Sequence, residues 1–108
     1  MVEYTLSLDS IFNALADPTR RDILNRITQG EMTVGQIARH YNLTFAAVSK
    51  HLKVLEKAKL VIKRRRGKEQ LVRLVPASLA PATEFLDVYR QMWENRFDAL
   101  EIYLRETG

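Results

Sequence analysis

The side chains with the clearest chemical potential in this chain are cations, and they are crowded into one segment. Between Thr44 and Lys68 the sequence has nine Lys and Arg residues and a single acid, Glu56. The whole 108-residue chain carries a net charge of +4, so the rest of it is net acidic. A basic strip on an acidic body is typical of a protein that meets a polyanion on one face. A merely solvated surface is the alternative reading of a charge run.

Side chains suited to catalysis or metal binding are scarce. The chain has no Cys, and its two histidines, His40 and His51, lie on different predicted helices. A protein metal site needs three or four ligands, and His51 is more simply explained as packing beside Leu52. The sequence also lacks a Gly-rich phosphate loop and a recognisable nucleophile–base pair. It therefore predicts no enzyme, no cofactor and no bound metal.

Composition and hydropathy predict a single domain spanning residues 1–108. Hydrophobic residues make up 46% of the chain, which is ordinary for a globular protein. The longest apolar stretches are far shorter than the roughly 18 residues that suggest a membrane span. The first residues have neither the basic start nor the apolar run of a secretory signal. We therefore expect a cytoplasmic protein that does not enter a membrane.

Apolar residues at three- and four-residue steps predict four helices before residue 60. Asp17 before Pro18 is suited to cap the second helix, and Thr33 with Gln36 has the spacing of a capping box for the third. The fourth helix is basic and follows a three-residue break, which is the helix-turn-helix arrangement. The predicted ranges are 7–16, a helix from Pro18, a helix from Thr33 to Tyr41, and about 45–58, the last with Val48, Leu52 and Leu55 facing inward.

After the fourth helix the pattern changes to a hairpin and then to one long helix. Two β-compatible runs, 60–66 and 69–75, flank Gly67-Lys68, which predicts a two-stranded hairpin over about 60–75. The last helix is predicted over about 81–105. It carries two adjoining apolar stripes, too wide for so small a core, which favours a partner chain over folding back on its own domain. The predicted interface residues are Phe85, Leu86, Tyr89, Met92, Trp93, Phe97 and Leu100.

Two segments carry a resemblance to a known family. Residues 12–24 read Phe-Asn-Ala-Leu-Ala-Asp-Pro-Thr-Arg-Arg-Asp-Ile-Leu, and residues 47–55 read Ala-Val-Ser-Lys-His-Leu-Lys-Val-Leu. With the hairpin strands 60–62 and 71–74, they resemble the ArsR (arsenical-resistance regulator) family. The resemblance implies a mainly α fold with a small β-hairpin, namely a winged helix-turn-helix of about five helices and a two-stranded wing. It also implies a homodimeric repressor of its own or a neighbouring operon.

The resemblance places the fourth helix in the DNA major groove, the hairpin as a wing, and terminal helices in the dimer interface. We expect double-stranded DNA with a roughly palindromic operator as the partner. Base-edge or phosphate contacts are expected from the exposed side of the fourth helix, with Ala46 able to touch a thymine methyl. Wing side chains are expected on phosphate or in a narrow minor groove. The candidate residues are Thr44, Phe45, Ala46, Ser49, Lys50, Lys53, Arg64, Arg66 and Lys68.

Three alternatives stay open at this stage. Phe45 is equally well explained as a core residue at the helix start. The basic strip also suits an adaptor that binds an acidic protein. An RNA-binding winged helix is a weaker possibility, because the wing offers no aromatic side chain for stacking on bases.

The sequence departs from the family pattern at two points. Metal-sensing members use Cys in the helix that corresponds to Thr33–Tyr41, or His and acidic ligands on the last helix, and this chain has neither set. The family usually has Gly where this chain has Lys59, just after the fourth helix. If Lys59 is left-handed, it costs on the order of 1 kcal/mol relative to Gly.

Overall fold

The computed structural model describes the backbone of residues 2–107 and the side chains of residues 7–107. Five α-helices and a small antiparallel sheet follow one another in the order expected of a winged helix, which confirms the predicted fold class. The elements are α1 (Val2–Leu15), α2 (Pro18–Ile27), β1 (Met32–Thr33), α3 (Val34–Tyr41), α4 (Phe45–Lys57), β2 (Val61–Arg66), β3 (Glu69–Leu74), a 3₁₀ helix (Pro76–Leu79) and α5 (Ala80–Thr107).

Side-chain caps start α2 and α3 where the sequence predicts them. The Asp17 carboxylate accepts the backbone N–H of Arg20 at 3.0 Å, and Pro18 occupies the first helical position. At α3 the Thr33 hydroxyl accepts the N–H of Gln36 at 3.0 Å, and the Gln36 side chain accepts the N–H of Thr33 at 2.8 Å. Each cap satisfies N–H groups that the first turn of a helix leaves without partners. The start of each helix is therefore fixed locally.

The core lies between the four short helices and the hairpin. Each contributes side chains that are almost fully buried, and the inward stripe of α4 is part of this cluster. Because α4 is held by this stripe, its remaining side chains are presented outward. The most buried large residues are Ile11, Ile23, Ile37, Val48, Leu52, Leu55, Leu60, Val61 and Val72.

The sheet has three strands, in the order β1-β3-β2, and not the two predicted. Met32 pairs with Val72, so the chain between α2 and α3 adds an edge to the hairpin. Two residues are too few to show the alternation that identifies a strand, which is why the sequence did not reveal β1. The first helix starts at Val2 and not Ser7, and the last starts at Ala80, before Pro81.

Lys59 follows α4 in the left-handed conformation, with a φ of 61°. Its N–H donates to the carbonyl of Glu56 at 2.8 Å, and that of Leu60 donates to Leu55 at 3.0 Å. The conditional cost of about 1 kcal/mol relative to Gly therefore applies at this position.

A polar contact ties α2 to α3 across the edge of the core. The Tyr41 hydroxyl donates to the Asp22 carboxylate, and the Arg26 guanidinium lies 6.0 Å from the centre of the Tyr41 ring. The hydrogen bond from Tyr41 lowers the pKa of Asp22 below its ordinary value. Burial, together with that carboxylate, raises the pKa of Tyr41 to about 12. The contact is thus strongest when Asp22 is charged and Tyr41 is neutral.

Helix α5 is built differently from the rest of the chain. It packs against α1 and the 3₁₀ helix at its start and then runs outward, giving a molecule 69 Å long but only 30 Å and 21 Å across. Ala82 is the one buried residue among its 28, all of which are described. No helix within residues 2–107 combines the length and hydropathy needed to cross a membrane.

Candidate nucleic-acid interface

Helix α4 presents its first turns to solvent. The Thr44 hydroxyl accepts the N–H of Ala47 at 3.1 Å and so caps the helix. Val48 is fully buried on the inner side, whereas Ser49 is half-buried at the margin. The N-terminal end of such a helix is the end that reaches base edges in helix-turn-helix proteins. The exposed side chains of this outer face are Thr44, Phe45, Ala46, Lys50 and Lys53.

The turn between α3 and α4 sets the angle of this face. Asn42 ends α3 in the left-handed conformation, with a φ of 53°, and the N–H of Leu43 donates to the carbonyl of Ala38 at 3.0 Å. Asparagine tolerates this conformation better than most residues. The turn therefore lets α4 start after only three intervening residues.

The hairpin of β2 and β3 ends in the two-residue turn Gly67-Lys68. Gly67 has a φ of 63°, which a residue without Cβ adopts at little cost. At this tip Arg66 and Lys68 are exposed, and neither forms an ion pair with any side chain among residues 7–107. Both side chains are therefore available to bind an external anion such as a phosphate group.

The two faces of the hairpin carry different cations. Arg64 lies opposite Leu71, and its guanidinium is 3.3 Å from the Glu31 carboxylate. Lys63 lies opposite the buried Val72, so it shares the face that packs on the helices. Strand alternation puts Arg66 on the Arg64 face. Arg64 thus has an acidic partner within the chain, and the tip residues do not.

An open groove of about 430 Å³ joins α4 to the hairpin and to the start of α3. Phe45 and Ser49 form one wall, and Lys63 and Lys68 form the other. The Lys63 ammonium is also 3.0 Å from the Glu56 carboxylate of α4, which ties the hairpin to the helix. Lys63 is not among the DNA-contact residues predicted from the sequence. Strand register would have identified it only if the facing helix had been known.

Comparison with known proteins agrees with this geometry. The profile described as bacterial regulatory protein, arsR family, matches residues 17–63. The transcriptional repressor SdpR of Bacillus subtilis is 40% identical over 60 residues, covering 56% of this chain and 67% of SdpR. The chain belongs to the arsR family. As a winged helix-turn-helix member of that family, it is a DNA-binding transcriptional regulator.

Solved structures of family members extend the match to the whole fold. An ArsR-like transcriptional regulator from Rhodococcus sp. RHA1 is 27% identical, with a TM-score of 0.83 over 100% of this chain and 98% of its own. A homodimeric winged helix-turn-helix DNA-binding domain from Mycobacterium bovis is 26% identical, with a TM-score of 0.63 over 80% and 82%. The Rhodococcus match includes α5, so the two proteins share the long last helix.

The described part of this arsR-family chain contains no cluster of residues that could hold a metal ion. Helix α3 contains no Cys, and no three His, Asp or Glu residues within the described part of the chain converge on one point. His51 instead meets Arg20, with its Nδ1 3.4 Å from a guanidinium nitrogen, and lies 3.9 Å from the Asp17 carboxylate. His51 is therefore engaged in a contact between α2 and α4.

Arg20 has a structural role that was not predicted from the sequence. Its guanidinium donates to the carbonyls of Ala14 at 2.9 Å and Asn13 at 2.7 Å, which lie in the last turn of α1. The same side chain meets His51 on α4. The Asp17-Pro18-Thr19-Arg20 run therefore joins α1, α2 and α4.

The second candidate surface is the apolar face of α5. Rings four residues apart form a continuous row: Phe85 to Tyr89 at 5.7 Å, Tyr89 to Trp93 at 6.3 Å, and Trp93 to Phe97 at 6.2 Å between centroids. Phe12 of α1 extends the row, with its ring 6.1 Å from that of Phe85. All seven residues predicted for the dimer interface are exposed in the single chain, namely Phe85, Leu86, Tyr89, Met92, Trp93, Phe97 and Leu100.

Proposed function

We propose that this protein is a homodimeric transcriptional repressor that binds a roughly palindromic operator of its own or a neighbouring operon. One observation carries the proposal: exposed cations gather around α4 and the wing, and exposed apolar side chains gather on α5. The first surface suits DNA phosphates and base edges. The second suits another copy of the chain, since an apolar stripe of this length is costly to leave in water.

In this proposal each α4 enters the major groove at its N-terminal end. Lys50 reaches a guanine edge, and Lys53 reaches a phosphate farther along the helix. Ser49 donates to a base or a phosphate, and Ala46 is small enough for close approach. Thr44 and the first N–H groups of α4 bind a phosphate, because a helix N-terminus attracts anions.

The wing contributes charge without sequence preference. Arg66 and Lys68 bind backbone phosphates from the tip of the hairpin. Arg64 contributes less, because its guanidinium already has the Glu31 carboxylate as a partner. Phosphate contacts of this kind fix the position of a protein on the duplex and carry no sequence information directly.

The dimer forms through α5, with Trp93 near the middle of the interface. The homodimeric state of the Mycobacterium bovis domain supports this assembly. A two-fold pair presents two α4 helices to successive major grooves, about 34–36 Å apart. Similarity to the repressor SdpR supports repression, which takes place in the cytoplasm, where a bacterial chromosome lies.

Selection of bound duplexes from a random pool tests the proposal. We expect enrichment of one sequence whose two half-sites are related by a dyad and centred one helical turn apart. If the chain is an adaptor for an acidic protein, no duplex is enriched. Binding to random DNA at low salt is then also negligible, and either result contradicts the proposal.

A further inference from the structure

Phe45 stands apart from the other exposed apolar residues. Its side chain is 64% exposed, the highest value among the large hydrophobic residues whose side chains are described. Nearly all the others with comparable exposure lie on α5, where a second copy covers them in the proposed dimer. Phe45 lies on α4, in a groove whose lining contains no α5 residue. Dimerisation through α5 therefore gives no reason for its exposure.

The surroundings of Phe45 favour an anionic partner. The groove contains Arg39, Lys63 and Lys68 against one acid, Glu69. The Phe45 ring lies close to the start of α3. A Cβ atom placed on Gly35 would be in van der Waals contact with the Phe45 Cζ atom, at 3.9 Å. The ring is thus supported on one side and open on the other, at the first position of the helix that faces DNA.

An aromatic ring in the major groove can distinguish only one feature by contact. The base edges there are hydrogen-bonding groups, and the C5 methyl of thymine is the apolar exception. A phenyl ring neither donates nor accepts a hydrogen bond in the way those edges require. Over a G·C pair it would leave their donors and acceptors without partners, which is unfavourable. Over thymine the ring also contacts the C5 methyl, and this apolar contact offsets part of that loss, which no other base edge does.

We propose that Phe45 is a specificity-determining residue that reads the methyl group of a thymine in each operator half-site, with Ala46 beside it. The inference rests on the proposed docking of α4 in the major groove. It goes further by naming a base that the operator must contain. Lys50 and Lys53 then provide the polar contacts, while Phe45 provides an apolar one.

The test replaces single thymines of the selected operator by deoxyuridine, which removes only the methyl group. Burial of one methyl-sized group corresponds to about fourfold in affinity for each half-site, and to about fifteenfold for both. We expect the wild-type protein to show this loss at one thymine position of the half-site. Phe45→Ala is expected to bind the thymine and deoxyuridine operators within about twofold of each other, since the contact is already absent.

Three controls make the result specific. Phe45→Leu keeps an apolar side chain and is expected to retain most of the sensitivity to deoxyuridine. Lys57→Ala changes the far end of α4 and is expected to leave that sensitivity unchanged. Thermal unfolding of Phe45→Ala is expected to match wild type, because the ring is outside the core cluster.

The inference is overturned if no thymine is sensitive to deoxyuridine, or if Phe45→Ala is as sensitive as wild type. Either result leaves the proposed function intact, provided that Lys50→Ala still weakens operator binding. Failure to select any operator contradicts both the function and the inference.

Discussion

The two exposed surfaces of this chain differ in how complete they are. The α4 surface is assembled within one chain: caps at Thr33 and Thr44 and the buried α4 stripe fix its backbone, and Lys63 ties the hairpin to it. The α5 surface lies on one helix, with only Phe12 of α1 beside its start, and its aromatic row faces solvent. A polar surface is stable in water before its partner arrives, whereas an apolar one is not. From this difference we predict that dimerisation precedes DNA binding.

The largest expected effect is on the α5 surface. Trp93→Ala is expected to weaken dimer association by about 3–5 kcal/mol, because the ring, 56% exposed in one chain, is covered in the proposed dimer. Sedimentation equilibrium measures this, and the fluorescence of Trp93, the only tryptophan, reports its burial in wild type. Glu94→Gln on the neighbouring position is the matched control and is expected to leave association unchanged. A wild-type chain that is monomeric at tens of micromolar would contradict dimerisation through α5.

The second effect is on the α4 surface. Lys50→Ala is expected to cost about 1–3 kcal/mol for each half-site on the operator and much less on random DNA, because a base contact carries sequence discrimination. Titrations on both duplexes measure the difference. Lys57→Ala, at the exposed far end of the helix, is the control. Equal weakening on both duplexes would indicate that Lys50 contacts a phosphate and not a base edge.

The third effect separates the wing tip from its base. Arg66→Ala is expected to lower the slope of log affinity against log salt by up to about 1.8 in the dimer, since each phosphate contact releases about 0.9 counterion. Arg64→Ala is the matched control, and we expect a smaller change because of its pairing with Glu31. Binding at five salt concentrations gives both slopes. If Arg64→Ala has the larger effect, the hairpin contacts DNA through the strand face that carries Arg64 and not through its tip.

The smallest effect lies in neither surface. Asp22 has a lowered pKa, so its contact with Tyr41 stabilises the fold above the unfolded pKa near 3.8 and loses this effect as pH falls through the folded pKa. Tyr41 has a raised pKa, so its contribution is complete below pH 10 and lost as pH rises towards 12. Tyr41→Phe is expected to reduce the dependence of thermal stability on pH in both the acid and the alkaline range. Tyr103→Phe is expected to change neither. Equal profiles for Tyr41→Phe and wild type would contradict this account.

Local signals made most of the fold predictable. Asp17-Pro18, the Thr33–Gln36 box and the Gly67 turn each act within a few residues, and all three occur as predicted. What the sequence did not reveal depends on distant partners. Strand β1 is defined by Val72, which lies 40 residues away from Met32 in the chain.

The candidate site divides in the same way. The outer face of α4 follows from helical periodicity. The sequence left open whether Phe45 is a core residue or a DNA contact, and in the structure Phe45 lies outside the core cluster. The bond between Arg64 and Glu31 joins residues 33 positions apart. Such pairs depend on how the hairpin packs, which residue spacing alone does not determine.

In the proposed assembly the α5 surface pairs two chains and the α4 surface binds DNA. Sedimentation velocity of the protein with a duplex that contains the selected operator measures how many chains each duplex carries. We predict two chains on each duplex, and for Trp93→Ala a loss of this stoichiometry at the same concentration. One wild-type chain on each duplex, or a Trp93→Ala complex with two chains and unchanged affinity, would contradict this assembly.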